Sequence, residues 1–328
     1  MFALTNVLCL FMCLSVAPSS TGAFVAVSPD KCRRSLVFAA HTSSATYHPV
    51  DLTVVIPAYN EVDRIGDTLQ SYSDYFRTNA TQIPLLRNCK ILVVDDGSLD
   101  GTAELTRSYP GVDCVSLPSN RGKGAAVSHG IVQLQPGELC LVTDADGSAN
   151  LQDLPAMLMQ LVQTMESSTT ITQSTFNSSF WWMPAMVVGH RISAASATVD
   201  STRMGQGSSS LSFFRSILRW GFRTTVRCFA GDLRVRDTQC GFKLMTVTAG
   251  QSLYRDLNLR GWTHDVEVLY RAKLNDIPVG EQDIQWQDKE GSKLIESPGG
   301  TIGVSITMLL EVLLMRLAYE TGSWRVPR

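Results

Sequence analysis

An α/β fold with a mostly parallel sheet and flanking helices is what this sequence predicts, and three observations predict it. Short apolar, β-branched runs alternate with stretches of helical spacing from Asp51 to Gly147. Strands that alternate with helices favour a parallel sheet, because parallel neighbours need a crossover and a helix supplies one. Three polar clusters, Pro57–Glu61, Asp95–Ser98 and Asp144–Asp146, each close an apolar run. Ligands bind beyond the carboxyl ends of strands in such sheets, so three clusters in register point to one crevice.

The elements follow in order. Leu52–Pro57 is β-branched, apolar and ended by proline, which reads as a buried strand. Residues 61–77 carry Ile65, Leu69, Tyr72 and Phe76 at helical spacing. Lys90–Val94 reads as a second strand closing on Asp95-Asp96-Gly97-Ser98, with a helix over 100–108 and a third strand over Val112–Leu117. Asn120–Gly124 is a loop and Ala125–Leu134 a helix. Leu139–Thr143 is the fourth strand, ending on Asp144-Ala145-Asp146-Gly147. Residues 165–180 are rich in Ser and Thr and read as a surface loop, and Val187–Gly189 as a strand leading to His190-Arg191.

Composition narrows the class. The 328 residues are 44% hydrophobic and 18% charged, which excludes wholesale disorder. A formal net charge of −2 speaks against a general nucleic-acid binder. The mean hydropathy of +0.04 is high for a soluble enzyme and far too low for a protein of many spans. None of the eight cysteines forms a Cys-x-x-Cys pair, and no histidine cluster adjoins them, so a zinc site is not expected.

Residues 1–50 read as a leader and linker, and 51–328 as one catalytic domain. No charged side chain precedes Asp30, and Val7–Ala17 is an apolar run too short for a comfortable span. It fits a signal-peptide core or a weak anchor, and the Ser/Ala/Thr-rich stretch after it fits a transit peptide or a linker.

Two later segments suit a membrane surface. Seven arginines and no lysine lie between Arg203 and Arg236. Arg215, Arg219, Arg223 and Arg227 fall every fourth residue among large apolar side chains. That pattern fits an interfacial amphipathic helix or phosphate contact, or else a solvated face on the core. Residues 301–319 form an apolar helix that either lies in an interface or is buried in the core.

Asp-x-Asp at a strand end suits Mg²⁺ or Mn²⁺, since magnesium usually takes one or two carboxylates plus substrate phosphates. A dinucleotide fingerprint is absent, because Val127 stands where the third glycine belongs. A P-loop is absent too, because Gly122-Lys123 is followed by Gly124.

Val55-Ile56-Pro57-Ala58-Tyr59-Asn60-Glu61, Val93-Val94-Asp95-Asp96-Gly97-Ser98 and Asp144-Ala145-Asp146 together resemble the inverting nucleotide-sugar glycosyltransferases of family 2, which have the Rossmann-like GT-A fold. Asn120–Gly124, Arg236–Leu244 and Glu290–Lys293 narrow the resemblance to the dolichyl-phosphate β-glucosyltransferase family, over residues 51–324. The resemblance implies transfer of glucose from UDP-glucose to dolichyl phosphate for protein N-glycosylation. It implies an endoplasmic reticulum membrane location with the domain facing the cytosol, unless the leader directs the chain to a plastid or the secretory route. It also implies that Asp144 and Asp146 hold Mg²⁺ or Mn²⁺. Pro57, Ala58, Tyr59, Glu61, Asp96 and Lys123 would cradle the nucleotide, with Asp95 as the alternative partner for the base. Arg191 and Arg215 would hold the acceptor phosphate, supported by Arg203, Arg219 and Lys293. Asp237 and Asp265 are candidates for a base or a sugar-hydroxyl ligand, or else orient an arginine or cap a helix.

Three rivals remain. A dolichyl-phosphate mannosyltransferase would use GDP-mannose. A processive polysaccharide synthase is disfavoured because Ser216 stands where its Gln-x-x-Arg-Trp motif needs glutamine. A non-catalytic membrane-bound nucleotide-sugar binder would not need an intact Asp-x-Asp and Lys123.

Overall fold

The computed structural model describes residues 48–79, 83–168, 179–193, 235–287 and 300–326, with single positions 226, 231, 233 and 289. They fall in one compact unit, Ser44–Arg328. The leader, the arginine-rich stretch with Arg203, Arg215 and Arg219, and Lys293 lie outside the described residues.

The first half follows the predicted alternation. β1 is Val50–Ala58, α1 Val62–Asn79, β2 Leu86–Asp95 and α2 Thr102–Arg107. β3 is Val112–Ser116, α3 Lys123–Val132 and β4 Leu139–Val142. Then come α4 (Leu154–Ser168), β5 (Met186–Ser193), β6 (Lys243–Thr246), α5 (Val247–Tyr254), α6 (His264–Leu274), β7 (Val279–Trp286) and α7 (Gly300–Glu320).

The seven strands form one sheet in the order β3-β2-β1-β4-β6-β5-β7. β1, β2, β3 and β4 run parallel, β6 is antiparallel to both its neighbours, and β5 pairs parallel with β7. β1 lies between β2 and β4 and is covered on both faces. Leu52, Val54, Val55 and Ile56 are accordingly fully buried, and the run shows no alternation.

The one antiparallel strand matters for the site. β4 ends at Val142 opposite Lys243, the first residue of β6. A reversed strand therefore brings its amino-terminal approach, Cys240–Phe242, to the same edge where β1, β2 and β4 end.

Two local expectations change. Residues 165–168 belong to α4, whose Leu154, Met157, Leu158, Leu161, Val162 and Met165 are buried at helical spacing. The start of the expected 165–180 loop is helical instead, because Met165 completes that apolar stripe, and residues 169–178 of that expectation lie outside the described residues. On α1, Tyr75 takes the buried place expected for Phe76. Among the described residues no helix is long and apolar enough to cross a membrane.

Candidate active site

The three polar clusters meet at one edge of the sheet, as the alternation required. Ala58, at the end of β1, pairs with Asp95, at the end of β2. The carbonyl of Ala58 accepts the Asp96 N–H at 2.8 Å, which joins the two strand ends. Pro57 and Ala58 are buried strand residues that shape the floor, whereas Tyr59 is 36% exposed at the rim.

Asp96, expected at the nucleotide, also ties down a neighbouring loop. Its two oxygens accept the Arg121 and Gly122 N–H groups, each at 2.8 Å, so it holds the Asn120–Gly124 loop. Burial is the largest influence on its pKa and outweighs these bonds, raising it. Asp95 is also buried and accepts the Ser98 N–H at 3.1 Å. Gly122 has φ +94, and a side chain there would meet the Arg260 carbonyl carbon at 3.0 Å. The loop can therefore dock on residue 260 only with glycine at that position.

Lys123 opens α3 and reaches into the crevice. Its Nζ lies 2.5 Å from Asp144 Oδ1 and 5.9 Å from the centre of the Trp262 ring. Burial works against its charge, but Asp144, Asp265 and Asp146 outweigh it and raise its pKa. Asp146 has Arg64 Nη1 at 3.8 Å and accepts the Ser148 N–H at 3.0 Å. Arg64 is gripped by Glu61 through Nε at 2.7 Å and Nη2 at 2.6 Å. Glu61, expected at the nucleotide, is thus linked through Arg64 to the second aspartate.

The Asp144/Asp146 pair fits a divalent cation of the magnesium type. Both side chains keep 23% exposure and so remain reachable. Among the described residues no cluster of three or more His, Cys, Asp or Glu could hold a metal. A pair of carboxylates suits a cation that takes its remaining ligands from phosphates and water.

The wall opposite is made by residues 237–243. A Cβ on Gly241 would sit 2.7 Å from Asp144 Cγ. Lys243 is buried and donates to the Cys240 carbonyl and, at 2.8 Å, to Asp265 Oδ1. His264 Nε2 lies 3.0 Å from the same oxygen. Burial pushes the Asp265 pKa up, but His264, Lys243 and Lys123 overcome it and hold it far below the usual carboxylate range. A carboxylate held so firmly in its anionic form is a weak base, and Asp265 here pairs with Lys243 and His264.

Asp237 resolves in the same direction. It accepts from Arg191 Nε at 2.6 Å and Nη2 at 2.9 Å, a bidentate grip. Arg191 also lies 5.3 Å from the centre of the Trp286 ring. Burial opposes both charges, but each partner offsets it, lowering the Asp237 pKa and raising that of Arg191. Asp237 grips the arginine, and Arg191 keeps 35% side-chain exposure.

Sequence reasoning missed Arg64, Gly241, Lys243, His264, Trp262 and Trp286 as parts of this arrangement. The Glu61-x-x-Arg64 spacing, which meets on a helical turn, was a legible signal for the first. Gly241→Ala is expected to lower turnover about 100-fold, since small misplacements of a reacting group cost that much. The backbone there is not left-handed, so the added methyl displaces the Asp144 side chain and leaves the fold alone. Steady-state kinetics beside a melting curve would check this.

Comparison with known proteins gives the family. Residues 53–228 match the family model described as glycosyl transferase family 2. The chain is 32% identical over 283 residues to a dolichyl-phosphate β-glucosyltransferase of Homo sapiens, covering 84% of this chain and 78% of that one. It is 31% identical over 290 residues to the enzyme of that name from Dictyostelium discoideum, covering 85% and 79%. Among solved structures, glucosyl-3-phosphoglycerate synthase from Mycobacterium tuberculosis, in complex with Mn²⁺, UDP and glucosyl-3-phosphoglycerate, aligns with TM-score 0.52 at 16% identity over 85% of this chain and 82% of that one. Mannosyl-3-phosphoglycerate synthase from Rubrobacter xylanophilus aligns with TM-score 0.55 at 15% identity, over 89% and 79%. At those identities the likeness is one of fold, and the fold is GT-A. With its strand-end aspartates and its whole-domain similarity, this chain is a glycosyltransferase that belongs to glycosyl transferase family 2 and, within it, to the dolichyl-phosphate β-glucosyltransferase family.

Proposed function

We propose that the protein transfers glucose from UDP-glucose to dolichyl phosphate with inversion, giving dolichyl β-D-glucosyl phosphate and UDP. The observation that carries this reading is identity of 30–32% to enzymes of that name from Homo sapiens, Dictyostelium discoideum and Saccharomyces cerevisiae across 84–85% of the chain. The proposed setting is the endoplasmic reticulum membrane, with the domain facing the cytosol and the product serving N-glycosylation.

The chemistry asks for placement more than for proton transfer. The acceptor is a phosphomonoester with a second pKa near 6, so at neutral pH it is already largely a dianion. Its oxygen forms a bond to the anomeric carbon as the bond to the UDP oxygen breaks. No strong general base is needed, which suits a site whose two spare carboxylates, Asp237 and Asp265, are engaged by cations. The difficulty is to bring two anions together. Arg191, held by Asp237 beside Trp286, would receive the acceptor phosphate, and Lys123 would meet the donor diphosphate. Mg²⁺ or Mn²⁺ on Asp144 and Asp146 would supply neutralisation of the leaving diphosphate.

The deciding experiment offers the purified protein a panel of UDP- and GDP-sugars with dolichyl phosphate and identifies the lipid product by mass. Glucosyl lipid from UDP-glucose is the expected result. Mannosyl lipid from GDP-mannose, or no UDP release, would overturn the reading. Arg191→Ala is expected to raise the acceptor KM or lower kcat by about 100-fold. Asp237→Asn should move the same constants less, because the amide still accepts one arginine bond. A change confined to UDP-glucose affinity would count against the phosphate role.

A further inference from the structure

The turn that carries Asp144 and Asp146 rests on α1. Arg64, Thr68 and Tyr72 follow one another every fourth residue on that helix and so form one row along it. Arg64 Nη1 is the group 3.8 Å from Asp146. Thr68 is 2% exposed and donates its hydroxyl to the Ala145 carbonyl at 2.8 Å. The Tyr72 hydroxyl lies 3.2 Å from the Ala149 carbonyl and 3.0 Å from Thr143 Oγ1. A carbonyl can only accept, so Tyr72 donates to Ala149 and takes its second bond from the Thr143 hydroxyl. Burial raises the Tyr72 pKa, the Thr143 bond offsets part of this, and the charges of Asp144 and Asp146 add to it, so the phenol keeps its proton.

These bonds grip the turn before, between and after its two carboxylates. The peptide unit is planar, so holding the Ala145 oxygen fixes the plane from which Asp146 departs. Ala145 is 4% exposed, whereas the two flanking aspartate side chains keep 23%. The middle of the turn is seated on the helix while its carboxylates stay reachable. Helix and turn touch closely, since a Cβ on Gly147 would come within 2.9 Å of Thr68 Oγ1. For packing alone, valine and phenylalanine would serve at positions 68 and 72 and would bury no hydroxyl. The polar atoms of both residues are spent on the turn.

We propose that Thr68 and Tyr72 are positioning residues for a divalent cation, fixing the separation and aim of the Asp144 and Asp146 carboxylates before the nucleotide arrives. The proposal rests on the reading that this pair holds Mg²⁺ or Mn²⁺. Two anions on one short turn repel each other, so a turn held by its backbone keeps them together at less cost on binding than a free one. Both hydroxyls act through backbone carbonyls, and neither is a ligand. Groups that orient metal ligands in this way typically contribute about 10–100-fold to metal affinity.

The test measures UDP binding to the full chain by calorimetry, once with Mn²⁺ and once with EDTA. The ratio of the two Kd values reports the metal link without any turnover. Thr68→Val/Tyr72→Phe should shrink that ratio about 10-fold, with UDP affinity in EDTA and the acceptor KM unchanged. Thr68→Ser, which restores the hydroxyl, should keep the unaltered ratio. If the double variant does not fold, Thr68→Val against Thr68→Ser makes the same comparison with a smaller effect. An unchanged ratio would overturn the proposal. So would an equal loss in Mn²⁺ and EDTA, which marks a merely structural role, or a Thr68→Ser ratio as low as that of Thr68→Val. An unaltered protein whose UDP affinity ignores Mn²⁺ would remove the metal from the aspartate pair, and this proposal with it. If GDP bound in place of UDP, the proposed donor would fall, and the same ratio read with GDP would still decide the role of the two hydroxyls.

Discussion

Asp146→Ala is expected to lower glucosyl transfer by about 10³-fold while leaving the melting temperature close to that of the unaltered protein. The residue stands in the loop after β4, keeps 23% side-chain exposure and accepts a hydrogen bond from Ser148 N. Arg64, its cationic neighbour, remains gripped by Glu61. Little of the fold depends on this carboxylate, whereas half of the cation-type donor pair does. Initial rates at saturating donor and acceptor, run beside a thermal melt, would separate the two effects. Near-normal turnover of a well-folded variant would remove the metal role from the pair.

The largest stability effect is expected at Glu267. Glu267 and Arg271 are fully buried on α6, one helical turn apart, with Arg271 Nη2 2.8 Å from Glu267 Oε1. Arg271 also donates to the carbonyls of Leu253, Arg255 and Asp256. Glu267 accepts the N–H groups of Asn258 and Leu259, and the Tyr319 hydroxyl. The pair thus ties the end of α5, the loop to α6 and the last turns of α7 into one node. Glu267→Ala would leave a buried arginine without its counter-ion, at a cost of about 3–5 kcal/mol. A melting temperature lower by roughly 10 °C follows for a domain of this size. The double change Glu267→Leu/Arg271→Met should be milder than the single one, because it strands no charge. A single-variant loss no larger than that of a surface substitution would show that the node carries little.

The active-site edge was legible in part because its signals are local. Each aspartate cluster directly follows the strand that carries it, so apolar run and polar ending are read together. The partners of Asp96 and Asp237 were not legible, because a carboxylate's partner is not visible in its own motif. Asp96 meets the Arg121 and Gly122 amides, and Asp237 meets Arg191, 46 residues away. The structural part played by Trp286 had no sequence signal at all, since its ring meets Arg191 only because β5 and β7 lie side by side.

By itself the sequence determined the α/β alternation, the crevice at the ends of β1, β2 and β4, and the family. These rest on period, turn chemistry and motif, all properties of neighbouring residues. Only the tertiary structure decided which carboxylates stay open and which are engaged. Strand β6, reversed in the sheet, carries Gly241 against Asp144 and Lys243 against Asp265. It also decided the fate of the apolar C-terminal helix, which is neither wholly core nor wholly surface. Its buried and open faces come from contact with α6 and the loop before it, and a one-dimensional apolar run holds no record of which side that contact will take.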